Sequence, residues 1–204
     1  ALLGDHVQQK GSLVDPERLR FDFAHFEPMT AAQIADVEQR VNREIRDNTG
    51  AFTEVMPIDE AKRQGAMALF GEKYGDEVRV MRLGTSIELC GGTHVNRAGD
   101  IGLFKIINET GIASGVRRIE ALTGEQALDW IAEQADQLDR VAELIKSDRG
   151  QVASRMEQVL AREKSLEKEL ATLKARLSSQ AGSNLADQAV EGKGIKVLAA
   201  RLDG

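Results

Sequence analysis

Apolar residues recur every three or four positions between Leu128 and Leu177, and this repeat restricts the second half of the chain to long helices. The repeat consists of Leu128, Ile131, Ala135, Leu138, Ala142, Ile145, Arg149, Val152, Met156, Val159, Glu163, Leu166, Leu170, Leu173 and Leu177. Only Arg149 and Glu163 in this set are not apolar, which is typical of a coiled-coil seam. The seam predicts either a homodimer through the helical region or packing within the chain or onto a neighbouring helix, and its break near Gly150 favours packing.

The break lies at Ser147-Asp148-Arg149-Gly150, where turn-forming residues precede a glycine that weakens a helix. Because the seam keeps its phase across these residues, a kinked helix and a helical hairpin both fit the pattern. We expect the helix to end at Ala181-Gly182-Ser183-Asn184. Ile195 to Ala199 then predicts a strand.

The composition changes sharply near Thr123-Gly124. Before this point glycines are frequent and apolar runs are short, and after it the chain is rich in Ala, Leu, Glu and Lys. We therefore predict an α+β domain over residues 1–124, a helical linker or coiled coil over 125–183, and the beginning of a further domain over 184–204.

Local signals within the first part predict its strands and helices. Thr30 is a plausible N-cap with Gln33 at the capping-box position, and a helical stripe of Ile34, Val37, Val41 and Ile45 follows. A second, short helix is expected to begin with Asp59 as its cap and to reach Ala68. Strands are predicted at 12–14, 19–23, 52–58, 78–83, 101–107 and 116–122.

Composition and charge exclude several classes of protein. No apolar run approaches the roughly 20 residues of a membrane span, so no membrane partner is expected, and the first residues do not resemble a secretory signal. Cys90 is the only cysteine, which excludes an internal disulfide and fits a reducing compartment. A net charge of -6 argues against a uniformly basic nucleic-acid surface. We expect a cytoplasmic protein.

The sharpest chemical motif is Cys90-Gly91-Gly92-Thr93-His94. A thiolate and an imidazole four residues apart, joined by two glycines that permit a tight turn, can bind one zinc ion. Two other interpretations stay open: a strand end followed by a turn and a hydrogen-bonded histidine, or a Cys/His nucleophile pair without an identifiable orienting acid.

A tetrahedral zinc ion needs two more ligands. His6 and His25 are the remaining histidines, and each is more readily explained as a hydrogen-bonded histidine than as a ligand. Ala1-Leu2-Leu3-Gly4 looks like the end of a helix whose earlier part precedes this chain. We expect the missing ligands there, as two histidines at positions i and i+4.

Several blocks that occur in order together resemble the editing region of the bacterial alanyl-tRNA synthetases. The blocks are residues 3–12 (LGDHVQQKGS), 20–23 (RFDF), 65–74 (GAMALFGEKY), 90–94 (CGGTH), 99–104 (GDIGLF) and 115–121 (GVRRIEA). The resemblance implies an α+β editing domain with an antiparallel sheet and flanking helices over 1–124. Residues 125–204 are similar to the helical linker and the opening of the C-terminal domain of the same family.

The resemblance also implies an activity and its residues. The editing region of this family hydrolyses serine or glycine wrongly attached to the alanine tRNA, beside a zinc ion. Cys90 and His94 match two of the zinc ligands, and the family's His-x-x-x-His pair would lie just before Ala1. Gln9 matches the glutamine of the substrate pocket. ATP and magnesium would be used only by an upstream catalytic domain.

The tRNA acceptor end is the expected partner. Lys10, Arg117 and Arg118, together with Arg18, Arg20 and Lys105, are candidates for a local basic patch that contacts its phosphates. Scattered surface charge is the plainer explanation for any one of them. Two alternatives to a synthetase segment are a free-standing trans-editing deacylase and a non-catalytic tRNA-binding or dimerisation module.

Overall fold

The computed structural model describes residues 2–67, 74–187, 190–192 and 194–197. The chain divides into two compact units, Ala1–Gln134 and Ala135–Gly204. Its strands are β1 (Gln9–Val14), β2 (Leu19–Ala24), β3 (Ala51–Pro57), β4 (Glu77–Leu83), β5 (Ser86–Leu89), β6 (Phe104–Ala113), β7 (Val116–Thr123), β8 (Val190–Gly192) and β9 (Ile195–Val197). Its helices are α1 (Ala31–Asp47), α2 (Ile58–Arg63), α3 (Gly124–Leu144) and α4 (Val152–Asp187). These elements confirm the predicted α+β class, with antiparallel sheets and a long helix near the end of the chain.

The first unit contains a four-stranded antiparallel sheet in the order β1-β2-β7-β6. Its buried face is formed by Phe23, Ile106, Ile119 and Ala121. The predicted stripe on α1 packs against this face through Ile34, Val37, Val41 and Ile45. Burying this apolar surface is what holds the helix on the sheet.

The start of α1 is set by local hydrogen bonds, as predicted. Thr30 adopts extended backbone angles and accepts a hydrogen bond from the Gln33 amide, while the Gln33 side chain accepts one from the Thr30 amide. This reciprocal pair satisfies amides that have no partner within the helix.

Polar side chains of α1 also cover the β6 edge of the sheet. The Asn42 amide group donates to the Phe104 carbonyl over 2.8 Å and accepts from the Phe104 N–H over 2.9 Å. The Glu38 carboxylate accepts from the Ile106 N–H and from Lys105 Nζ. These side chains take the place of a neighbouring strand at Phe104 and Ile106, so the first residues of this edge are closed to further pairing.

A second antiparallel sheet in the first unit has the order β3-β4-β5. Met56, Val78, Val80 and Leu89 form its buried core with Ala61 of α2. The prediction that Asp59 caps α2 was wrong, because the helix begins at Ile58 after Pro57 and places Asp59 in its first turn. The helix ends at Arg63 rather than reaching Ala68, a residue outside the described part of the chain.

Two further strands differ from the predictions. β5 was not expected, and the strand predicted at 101–107 begins later because Ile101 belongs to a short 3₁₀ turn over Ala98–Ile101. β6 starts only at Phe104 and continues to Ala113. Pairing with β7 explains its length, since both strands belong to one long hairpin.

In the second unit, the helical region is interrupted between Leu144 and Val152. Lys146 adopts a left-handed backbone conformation (φ 53°), and a short 3₁₀ turn over Arg149–Gln151 leads into α4. The result is a true break and not a kinked continuous helix. Apolar seam residues stay exposed on both helices, since Leu138 of α3 is 40% exposed and Leu166 of α4 is 52% exposed.

The end of α4 corrects another expectation. The helix passes through the predicted stop at 181–184 and ends at Asp187. A strand follows at Ile195–Val197, as predicted, and pairs with β8; residues 198 and 199 of that prediction lie outside the described part of the chain. No helix within the described residues is both long and apolar enough to span a bilayer.

Candidate functional site

The structure brings the cysteine and histidine of the predicted zinc motif into contact. Cys90 directly follows the last residue of β5, and His94 lies four residues further along an irregular loop. The distance from Cys90 Sγ to His94 Nε2 is 3.2 Å, which is a sulfur–nitrogen hydrogen-bond distance. Cys90 is half-buried and His94 is exposed, so the pair is accessible from solvent.

Arg79 on β4 holds this loop at two points. Its backbone carbonyl accepts a hydrogen bond from the Cys90 N–H over 3.2 Å, and its guanidinium donates to the Gly92 carbonyl. The sequence did not reveal this role, because it depends on how β4 and β5 pair. The only local signal was the alternation of polar and apolar residues along β4, which places Arg79 between Val78 and Val80.

The two glycines of the motif do not act as expected. Neither Gly91 nor Gly92 has a positive φ, so the turn needs no left-handed backbone. A Cβ atom at Gly91 would meet no atom within 4 Å, and one at Gly92 would meet Cys90 Sγ at 3.7 Å, an ordinary contact. The fold therefore imposes no conformational requirement for glycine at these two positions.

The geometry of Cys90 and His94 fits two corners of a zinc tetrahedron. Zinc–sulfur and zinc–nitrogen bonds of about 2.3 and 2.1 Å place the two donors about 3.6 Å apart at a tetrahedral angle, close to the observed separation. No group of three or more His, Cys, Asp or Glu side chains suited to a metal occurs among the described residues. The pair thus supplies half of a ligand set.

The other two histidines pair with each other. His6 Nε2 lies 2.9 Å from His25 Nδ1, and the two rings are stacked. This agrees with their interpretation as hydrogen-bonded histidines, and the structure does not bring them together with Cys90 and His94 into a metal cluster.

Gln9 and Lys10 lie at the start of the edge strand β1. Gln9 is half-buried and is opposite Phe23 in the pairing with β2. The register shifts between Gln9 and Gly11, so Lys10 is the extra residue of a β-bulge and is exposed. Within the described residues, Lys10 forms no ion pair.

The two predicted tRNA-binding arginines of β7 each form a paired hydrogen bond with a carboxylate. Arg118 donates to both oxygens of Asp22 over 2.7 and 2.8 Å, and Arg117 donates to both oxygens of Glu109, the longer bond measuring 2.7 Å. The hydrogen bonds that Arg118 donates lower the pKa of Asp22, and the hydrogen bonds that Arg117 donates to Glu109 raise the pKa of Arg117. Their contact with tRNA stays a prediction.

The other three members of the predicted basic patch are also paired. Arg18 lies 2.9 Å from Glu120, Lys105 lies 2.9 Å from Glu38, and Arg20 lies 3.9 Å from Asp22. Lys10 is therefore the one member without a carboxylate partner in the part of the chain that the structure describes.

Comparison with known proteins relates the part of the chain that contains this site to a known family. Residues 78–120 match the model of the threonyl and alanyl tRNA synthetase second additional domain. The matched segment runs from β4 to β7 and includes Cys90, His94, Arg117 and Arg118.

Curated relatives match the chain over nearly its whole length. It is 57% identical over 203 residues to an alanine–tRNA ligase of Delftia acidovorans, covering 100% of this chain and 23% of the relative. It is 58% identical over 202 residues to an alanine–tRNA ligase of Colwellia psychrerythraea (98% and 23%), and 58% identical over 204 residues to that of Methylobacillus flagellatus (100% and 23%). The chain thus spans about a quarter of the length of these relatives. The expected resemblance is confirmed: this chain matches one segment of the alanine–tRNA ligases over nearly its whole length, and its residues 78–120 match the second additional domain of the threonyl and alanyl tRNA synthetases.

Proposed function

We propose that residues 1–124 form an editing domain that hydrolyses the ester of serine or glycine wrongly attached to the alanine tRNA. The observation that carries this proposal is the 3.2 Å approach of Cys90 Sγ to His94 Nε2, within the segment that matches the synthetase domain. A soft thiolate beside an imidazole is a donor set that zinc prefers.

Cys90 and His94 would hold the zinc ion together with two ligands from outside the described residues. A zinc ion bound there would supply polarisation of the ester carbonyl or activation of a water molecule. Arg79 would act as a positioning residue, because it fixes both the Cys90 amide and the Gly92 carbonyl. These two hydrogen bonds fix the loop that carries the Cys90 sulfur and leads to His94.

Gln9 is our candidate for recognition of the serine hydroxyl. Its side-chain amide forms no hydrogen bond with another described residue, so its donor and acceptor are open to a ligand. A hydroxyl that pairs with this amide would favour serine. Alanine would leave the amide unpaired, which disfavours hydrolysis of the correct product.

A cysteine–histidine nucleophile is the competing chemistry, and the hydrogen bonds of His94 argue against it. A nucleophile pair needs a third group that orients the base. Within the described residues, the His94 ring has Cys90 as its one hydrogen-bond partner. We therefore favour the metal-bound interpretation.

The proposal is tested with this chain alone and with this chain joined at both ends to the flanking sequence of the Delftia acidovorans relative. We expect the joined protein to bind zinc and to release serine from Ser-tRNA(Ala). Cys90→Ser and His94→Asn should each lower its zinc affinity by more than about 100-fold, the upper value for loss of a group that only supports a ligand, with a matching loss of hydrolysis. Zinc is measured by elemental analysis and hydrolysis by release of labelled serine.

His6→Asn is the matched control for zinc content, since His6 pairs with His25. Unchanged zinc and unchanged hydrolysis in Cys90→Ser would contradict the proposal. A joined protein that binds tRNA but hydrolyses nothing would instead favour the non-catalytic binding module.

We further propose that α4 forms a parallel dimer with a second copy of the chain. Its seam residues are about half exposed, with Leu166, Leu170 and Leu173 at 52%, 54% and 57%. The seam places Arg162 and Glu169 at g positions and Glu167 and Lys174 at e positions. In a parallel pair, Arg162 faces Glu167 of the partner subunit and Glu169 faces the partner's Lys174, so both contacts are attractive.

Glu163 is the polar residue of this seam within α4. Replacing it tests whether the seam forms the dimer. Two facing carboxylates in an apolar seam oppose pairing, so we expect Glu163→Leu to tighten the dimer by about tenfold. Leu166→Lys should weaken it by at least as much. Sedimentation equilibrium gives both dissociation constants.

Glu157→Leu, which lies off the seam, is the control and should leave the dissociation constant unchanged. If the chain stays monomeric with and without Glu163→Leu, α4 does not pair with itself.

A further inference from the structure

Five aromatic rings form a nearly parallel ladder that runs from the core of the four-stranded sheet to the surface. In order, the ladder consists of Phe21, Phe23, His25, His6 and Phe26. Successive ring centroids are 6.1, 6.2, 5.1 and 6.2 Å apart, and the planes of neighbouring rings differ by 18° to 26°. These separations are within the range of attractive aromatic pairs.

Strand and loop geometry build this ladder from two directions. Phe21, Phe23 and His25 alternate along the path of β2, so their side chains share one face. His6 arrives from the segment before β1 and is fixed by its hydrogen bond to His25.

Two glycines with positive φ make room for the outer rings. A Cβ at Gly4 (φ +115°) would approach His6 Nδ1 to 2.9 Å, and one at Gly115 (φ +69°) would approach Phe26 Cε1 to 3.2 Å. A side chain at either position would come too close to the neighbouring ring, so glycine at positions 4 and 115 leaves space for the His6 and Phe26 rings.

Exposure changes along the ladder. Phe21 is half-buried and Phe23 is 1% exposed, whereas Phe26 at the outer end is 83% exposed. The ladder therefore presents to solvent an aromatic ring that is backed by further rings. Proteins that bind single-stranded nucleic acid stack bases on exposed aromatic rings of this kind.

The ladder lies beside the candidate pocket residue and a free positive charge. The Ala24 N–H donates to the Gln8 carbonyl, and Gln9 is opposite Phe23, so the start of β1 runs along the strand that carries the ladder. Lys10 follows Gln9 on the bulge. The carboxylate nearest to Lys10 in the strand register is that of Asp22, opposite Gly11, and it is already neutralised by Arg118. Lys10 is thus available to a phosphate.

We propose that Phe26 stacks an unpaired nucleobase at the 3′ end of an RNA, with His6 behind it and Lys10 near the adjoining phosphate. This inference rests on the proposed editing function, because it identifies the surface that would hold the nucleotide next to the ester. In this proposal the ladder binds the base, and Gln9 recognises the amino acid.

The experiment uses this chain and an RNA hairpin with four unpaired 3′ nucleotides, the last of which is 2-aminopurine. The hairpin carries no amino acid, so its binding does not depend on zinc or on hydrolysis. We expect binding to quench the 2-aminopurine fluorescence. Phe26→Leu, which keeps an apolar side chain but removes the ring, should weaken binding by about tenfold and abolish the quenching.

Two controls separate stacking from other causes. Phe52→Leu removes another exposed ring, 66% exposed on β3 of the other sheet, and should leave binding unchanged. A hairpin whose last nucleotide lacks its base should bind the unsubstituted chain and the Phe26→Leu variant equally. Equal losses from the two phenylalanine variants, no loss from Phe26→Leu, or no binding by the unsubstituted chain would each overturn the proposal. Failure of the deacylation assay alone would contradict the proposed editing function but would not overturn this proposal.

Discussion

Replacing Arg118 with methionine is expected to lower the free energy of unfolding by about 3 kcal/mol. The substitution keeps most of the apolar stem of the side chain but leaves the carboxylate of Asp22, whose side chain is 11% exposed, without its two charged hydrogen bonds. Arg20, 3.9 Å away, compensates only in part. Denaturant unfolding followed by circular dichroism measures the loss.

A matched control is available on α1. Arg40 and Asp36 form an ion pair one helical turn apart, with side chains 63% and 38% exposed, so Arg40→Met should change the stability by at most about 0.5 kcal/mol. Combining Asp22→Asn with Arg118→Met should recover part of the lost stability, because no buried charge is then left unpaired. Equal losses of unfolding free energy in Arg118→Met and Arg40→Met would show that the burial of Asp22 does not strengthen its ion pair.

The same pair predicts a pH dependence with a definite sign. Hydrogen bonds from Arg118 hold the pKa of Asp22 below its ordinary value. A carboxyl group with a lowered folded-state pKa adds stability that is fully present above its unfolded pKa of about 4 and is lost as the pH falls through the lowered pKa. The stability difference between the unsubstituted chain and Arg118→Met should therefore shrink below about pH 4.

Replacing Asn42 with leucine is expected to lower the free energy of unfolding by about 2–3 kcal/mol. Leucine has nearly the same shape, but it can neither donate to the Phe104 carbonyl nor accept from the Phe104 N–H. Leaving two partly buried backbone groups without partners costs about 1–3 kcal/mol each, which the greater apolarity of leucine offsets in part.

Asn108→Leu is the control for this substitution. Asn108 lies on the same strand, but it is exposed and its amide binds only the carboxylate of Glu120, so the expected change is below about 0.5 kcal/mol. Hydrogen exchange of the Phe104 amide gives a second, local readout, since it should accelerate in Asn42→Leu and not in Asn108→Leu. An unchanged exchange rate would show that Asn42 does not protect this edge.

The features predicted correctly from the sequence are those that local interactions determine. The start of α1 depends on Thr30 and Gln33, three residues apart, and the contact of Cys90 with His94 joins residues four apart. Interactions of this range leave a readable spacing in the sequence.

The features that the sequence did not reveal depend on distant pairing. Arg118 meets Asp22 from 96 positions away, because β2 and β7 are neighbours in the sheet, and nothing in the residues near Arg118 indicates this partner. The short strand β5 was missed for the same reason, since its four residues form a strand only by pairing with β4. The role of Arg79 follows from that pairing.

The bulge at Lys10 has a consequence for how copies of this chain behave at high concentration. β1 is the edge of its sheet opposite to the edge that α1 covers. An uninterrupted outer strand would offer an even row of N–H and C=O groups to an unfolded or misfolded neighbour. The extra residue breaks the spacing of that row and places a positive charge on it, which protects the sheet from growing into a fibril.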